Sequence, residues 1–297
     1  MKRFWIAAVL IWMLTLALAC SNAQEAEATA SPAPTETLAP TPVPTEEIVS
    51  IETLEAITPD ATLPPVPTPP PTPTPAPPLS GIRIGIDPGH QQEPDYETEP
   101  IAPDSEEQAA KCSAGTRGIV SDVYEYEVNM NVARKLKALL EAQGATVYLT
   151  RNTDRDRIGE ADRAEYFNAM QVDLAIELHC NGTDDTSVRG AFMIVPSVNR
   201  TGFYAENVRA ATSILSSYCA ATGLSARKHN GITYRSDRTV FNWCTRPIVC
   251  IEMGYLSNET EDLLLTNDKF QDKMSFGICE GIVAYFNPEA IPEGGTP

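Results

Sequence analysis

The sequence predicts a single α/β domain: a mostly parallel sheet of about six strands with helices on both faces, set behind a disordered linker. Three observations predict it. From residue 81 onward, short apolar runs alternate with longer segments of helical periodicity. Residues 21–80 hold 16 of the 25 prolines, with eight acids and no lysine or arginine. The remaining 217 residues, 81–297, are enough to bury one core.

The elements follow in order. "IRIGID" (82–87) is a short β-branched run that ends at Pro88-Gly89. Residues 124–143 carry Val128, Val132, Leu136 and Leu139/Leu140 at helical spacing, and Gly144 is a natural stop. "ATVYLT" (145–150) reads as a strand and 158–170 as a helix. "VDLAIELH" (172–179) is continuously apolar enough to be a buried strand, and "GAFMIV" (190–195) is another. Residues 203–222 are helical, "PIVCIE" (247–252) is a strand, and 259–286 read as one long helical stretch. Between the first strand and the first helix, the polar insertion 91–121 reads as a mobile loop near the cleft.

The N-terminal part has a different character. Residues 1–20 begin with Lys2 and Arg3, continue apolar from Phe4 to Ala19, and end in Cys20. This is the layout of a secretory signal. The small residues before the cysteine resemble a lipoprotein signal, with Cys20 as the lipidated residue. Residues 21–80 cannot bury a core and have no opposite charge to pair with, so they read as a disordered stalk. The expectation is an exported protein of the cell envelope, membrane-anchored or extracellular.

The net charge of −18 splits as +2 in 1–20, −8 in 21–80 and −12 in 81–297. An acidic domain argues against nucleic acid as a partner. Beyond Cys20 there are six cysteines and no CxxC pair, so a structural zinc cluster is not expected. Cys180 and Cys250 fall in or beside apolar runs and read as small core residues.

In an open parallel sheet, ligands bind outside the carboxyl ends of the strands. His90 follows the first strand there, His179 ends the third and Glu252 ends the last. Two histidines and carboxylates at strand ends are what a catalytic zinc site needs. The third ligand has two candidates. "HQQE" puts Glu93 at the H-x-x-E spacing of zinc carboxypeptidases, which would make the chain a peptidase of that type. Glu125, at the mouth of the first long helix with Asn129 one turn on, is the rival. A wall-binding or regulatory module with a vestigial site is a further alternative. Asp87 reads either as an orienting acceptor for His90 or as part of the turn. Glu177, two residues before His179, falls on the same side of its strand. His229, in "RKHNG", reads as a loop histidine.

Four blocks carry a resemblance: "IGIDPGH", "EYEVNMNVARKLKALLEAQGATVYLTR", "VDLAIELHCNG" and "RPIVCIEMGYLSN". In this order over 81–286 they resemble the zinc-dependent N-acetylmuramoyl-L-alanine amidases of the amidase family 3 type. The resemblance implies an α/β fold with a six-stranded sheet. It implies zinc held by His90, Glu125 and His179, with Glu252 as the catalytic carboxylate. Glu93 then has no counterpart role. Asn181 and Arg246 flank the inferred site and are candidates for substrate contact. The implied partner is peptidoglycan. The implied reaction is hydrolysis of the amide between the lactyl group of N-acetylmuramic acid and L-alanine of the stem peptide. Glu177 departs from the serine common in that family.

Overall fold

The computed structural model describes residues 76–197, 202–227 and 230–288. The signal segment, Cys20 and almost all of the proline-rich linker lie outside the described residues, as does His229. Six strands form one sheet: β1 (Arg83–Pro88), β4 (Thr146–Leu149), β5 (Leu174–Asn181), β6 (Phe192–Pro196), β7 (Ile232–Arg235) and β8 (Ile248–Tyr255). Their order is β4-β1-β5-β8-β6-β7, and every pairing is parallel except β6 with β8. The α/β architecture expected from the alternating periodicity is therefore the one observed.

The two faces of the sheet bury different things. One face packs Ile84, Ile86, Ile176, Leu178, Val249 and Ile251. Against these lie three long helices, α1 (Glu125–Ala142), α3 (Tyr204–Thr222) and α6 (Asp268–Phe286), which supply residues such as Val132, Leu136, Ile214 and Ile278. The other face packs Ala175, Ile248 and Cys250 against Phe167 of α2 (Glu160–Met170) and Val240 and Phe241 of α4 (Thr239–Trp243). Alternation along the central strands puts Asp87, Glu177, His179 and Glu252 on this second, smaller side. The packed region also takes in Leu79, which is fully buried and donates its amide to the Gln143 carbonyl.

The structure departs from the sequence expectation in three places. The 91–121 insertion is no free loop. Asp95–Pro100 (β2) and Gln108–Cys112 (β3) form an antiparallel hairpin. Glu99 of β2 is buried and accepts from the Ala161 amide at the start of α2, and the Trp243 indole donates to Pro100 O. Its charge-rich composition masks the two long-range contacts that fix it. The stretch 259–286 is two helices, α5 (Glu259–Leu265) and α6. Asn267 accepts from the Phe270 amide and so caps a second helix where the apolar periodicity runs on unbroken. Strand β7 and helix α4 are short and were not expected. The six cysteines beyond Cys20 are free, and Cys180 and Cys250 are buried as expected.

Candidate active site

His90 is delivered by the turn after β1. Its φ is +60°, a left-handed conformation uncommon for a residue with a side chain. The surroundings hold it there. Two arginines, each 1% exposed, take up the carbonyls of the turn. Arg151 donates to Pro88 O at 2.9 Å and Gly89 O at 3.4 Å. Arg163 donates to Pro88 O and His90 O, both at 3.2 Å, and to Asp87 at 2.6 Å. Asn129 Nδ2 of α1 is the second donor to Gly89 O, at 3.1 Å. Gly89 must be glycine, because a Cβ there would enter the His179 ring.

Asp87 therefore belongs to the turn rather than to His90. It accepts from Thr150 Oγ1 and Arg163, while His90 Nδ1 faces the Ser113 carbonyl at 3.0 Å. Burial alone would raise the Asp87 carboxyl; Arg163, Thr150 and His179 overcome that and hold it below its usual value. A carboxylate held low contributes stability above its ordinary pKa and loses that contribution as pH falls through the folded value. Removing its partner would leave a buried charge uncompensated. Arg163→Met is expected to lower the unfolding free energy at pH 7 by about 3–5 kcal/mol. The variant should also lose less stability than wild type below about pH 4. Denaturant titrations at pH 7 and pH 3 check both.

Glu125 is the first residue of α1, and its carboxylate turns back toward the sheet. Oε2 accepts from the Thr116 amide at 2.8 Å, and Oε1 accepts from the Cys180 amide at 3.0 Å. Loop 118–123, just upstream, is anchored by buried Asp262, which accepts from the Val120 and Ser121 amides. His179 of β5 stands beside Glu125, and the His90 and His179 rings meet edge to face at 4.8 Å.

Three atoms converge at this point. His90 Nε2 and Glu125 Oε1 lie 3.2 Å apart, His179 Nδ1 and Glu125 Oε1 3.0 Å, and the two ring nitrogens 3.2 Å. Ligands about 2.0–2.1 Å from a tetrahedral zinc would be separated by about 3.3 Å. The donor set and its spacing fit such an ion. Burial alone would raise the Glu125 carboxyl, but His90 and His179 beside it hold it well below the usual range.

Glu252 of β8 is the register partner of His179 on the adjacent strand. It is 7% exposed, and its Oε2 has no hydrogen-bond partner among the described residues. Burial, then the nearby Glu125 charge, pushes its carboxyl up to about 8. All four residues line one cleft of about 480 Å³ together with Asn181 and Arg238. The hairpin supplies a wall of that cleft through Ala109 and Ala110.

Two candidates are not brought there. Glu93 is exposed, and no atom of it joins the convergent group. Arg246 lies at the opposite edge of the sheet, where its Nε donates to Val172 O at 2.5 Å near the amino end of β5. Its place just before a strand ending in Glu252 misleads, because a strand's two ends lie on opposite edges. The arginine that does line the cleft is Arg238, which reading the sequence did not single out. Arg151 and Arg163 were also missed; the signal for Arg151 was an arginine directly after an apolar strand.

A His–Glu–His triangle facing a buried, unpartnered carboxylate at the carboxyl edge of an α/β sheet is the layout of a metal-assisted hydrolase. The family model for N-acetylmuramoyl-L-alanine amidases matches residues 84–284. The chain belongs to that family and is a hydrolytic enzyme of peptidoglycan, acting on the amide between N-acetylmuramic acid and L-alanine. It is 29% identical over 231 residues to the germination-specific N-acetylmuramoyl-L-alanine amidase of Bacillus subtilis, covering 72% of this chain and 84% of that one. It is 22% identical over 212 residues to the N-acetylmuramoyl-L-alanine amidase Rv3717 of Mycobacterium tuberculosis, covering 70% and 87%. The fold is shared with the crystal structure of the amidase Ami1 of Mycobacterium smegmatis. There the TM-score is 0.65 at 20% identity, over 71% of this chain and 99% of that one.

Proposed function

We propose that His90, Glu125 and His179 hold a zinc ion and that Glu252 carries the proton during hydrolysis of the muramoyl–L-alanine amide. The observation that carries this is the convergence of three ligand-capable atoms within 3.2 Å of one another, in register with a buried glutamate. A zinc ion there would supply Lewis-acid polarisation of the amide carbonyl and a more acidic water. Glu252 takes the proton of the attacking water and returns it to the alanine nitrogen as that nitrogen leaves. Burial and the Glu125 charge raise the Glu252 carboxyl, which strengthens it as a base toward the attacking water. The Ser113 carbonyl beside His90 Nδ1 is placed to orient the ring, as ligating histidines require. Asn181 lines the cleft wall, which supports a role in substrate contact.

The setting we infer is the cell envelope. Residues 1–20 read as an export signal with Cys20 as a lipid anchor, and 21–80 as the stalk that lets residues 81–297 work at a distance from the membrane. No helix among the described residues is long and apolar enough to cross a membrane. The test uses the purified full chain. Metal analysis should find about one zinc per chain. Mass spectrometry of digested peptidoglycan should find stem peptides with a free N-terminal alanine and glycan with intact lactyl groups. Products cut elsewhere in the peptide, or no zinc, would overturn the assignment.

A further inference from the structure

The cleft is lined by acids: Glu125, Glu160, Asp237 and Glu252. Among the described lining residues, Arg238 is the only lysine or arginine. It is not a surface arginine that has drifted in. Its Nη2 lies 3.3 Å from Glu177 Oε2, and Glu177 is 1% exposed. The same Nη2 is 3.3 Å from His179 Nε2, and the guanidinium sits over the Phe241 ring at 5.4 Å. A buried carboxylate below and an aromatic face beside fix its position. The side chain is 18% exposed, Nε is enclosed without a partner, and Nη1 has no hydrogen bond among the described residues. The guanidinium thus keeps donor capacity at Nη1 that no described residue uses, on a side chain that lines the cleft.

Its place decides what it would bind. The convergent atoms lie on the Nδ1 side of His179, whereas Arg238 stands at Nε2, across the ring. It stands one imidazole ring away from the convergent atoms, a separation that suits a group one residue along a bound peptide, about 3.5 Å further on, rather than the reacting carbonyl itself. A guanidinium in a fixed position matches a carboxylate. In a cleft with four acids, a substrate carboxylate would otherwise be repelled.

Resting on the amidase reading, we propose that Arg238, held by Glu177, is a substrate-binding residue that selects stem peptides carrying a free α-carboxylate on the residue after L-alanine. The structure thereby assigns a use to Glu177: it positions Arg238.

The test compares two muramoyl peptides that differ only at that second residue, with its α-carboxylate free or converted to the carboxamide. The full-length zinc-loaded enzyme should favour the free carboxylate in kcat/KM by at least about tenfold, the value of one charge-assisted hydrogen bond. Arg238→Gln should bring the ratio to about 1. Because that variant leaves Glu177 buried without its cation, the double variant Glu177→Gln with Arg238→Gln is measured beside it and should give the same ratio. Calorimetric binding of the two L-alanyl product peptides provides a readout apart from turnover and should show the same preference. Equal rates on both peptides in wild type, or an unchanged preference in both variants, would overturn the proposal and leave the amidase reading intact. No cleavage of either peptide would instead count against that reading.

Discussion

Glu252→Gln is expected to bind zinc as wild type does and to lose about 10²–10⁴-fold in kcat, the usual contribution of a positioned acid–base group. The two outcomes together are diagnostic. Glutamine keeps the size of the side chain and its place beside His179, so the triangle of His90, Glu125 and His179 is not disturbed. What it removes is the ability to take a proton. Glu252 is suited to that role because its Oε2 has no hydrogen-bond partner among the described residues to hold it in one protonation state. Burial and the Glu125 charge raise its carboxyl and so make it a stronger base. Steady-state rates on a muramoyl-L-alanine amide, with zinc measured in the same samples, decide it. Wild-type turnover in a zinc-loaded Glu252→Gln enzyme would sink the proposed role.

The second large effect separates two acids. Glu125→Ala is expected to weaken zinc binding by more than the about 10–100-fold that loss of an outer-shell partner costs. Glu93→Ala should leave it unchanged. Glu125 Oε1 is within 3.2 Å of both imidazole nitrogens, whereas Glu93 is exposed on the hairpin approach. Chelator competition with the full chain measures both affinities. Loss of zinc with Glu93→Ala alone would restore the H-x-x-E reading and overturn the site. Glu125→Ala carries a second cost, since the Thr116 and Cys180 amides lose their acceptor. Thermal unfolding of the metal-free protein separates that loss from the loss of zinc.

Most of the fold was legible because its signals are local. Apolar runs of β-branched residues and helical spacing are properties of neighbouring residues, and they place β1, α1, β4, α2, β5, β6, α3 and β8. The break between α5 and α6 was written in Asn267, but a capping side chain interrupts no apolar pattern. The hairpin was illegible for a different reason. β2 is mostly exposed and charge-rich, and what fixes it is Glu99 reaching α2 and Trp243 reaching Pro100, contacts over 62 and 143 residues.

The site divides in the same way. By itself the sequence determined which residue types stand at which strand ends: His90, His179 and Glu252, with Glu125 opening a helix. Strand polarity and side-chain alternation bring those positions to one edge and one face, and both can be read along the chain. The tertiary structure decided the partners. Placing Glu125 rather than Glu93 against His90 depends on α1 packing so that its first carboxylate meets the Cys180 amide. Placing Arg238 rather than Arg246 in the cleft depends on Arg246 lying at the amino end of β8, and on α4 setting Arg238 against a buried Glu177 that holds the guanidinium. Arg151 and Arg163 look like surface arginines in the sequence and are 1% exposed in the fold. Their five hydrogen bonds to turn carbonyls and Asp87 become visible only when distant segments meet, because the free energy of a buried charge is set by what surrounds it rather than by its neighbours in the chain.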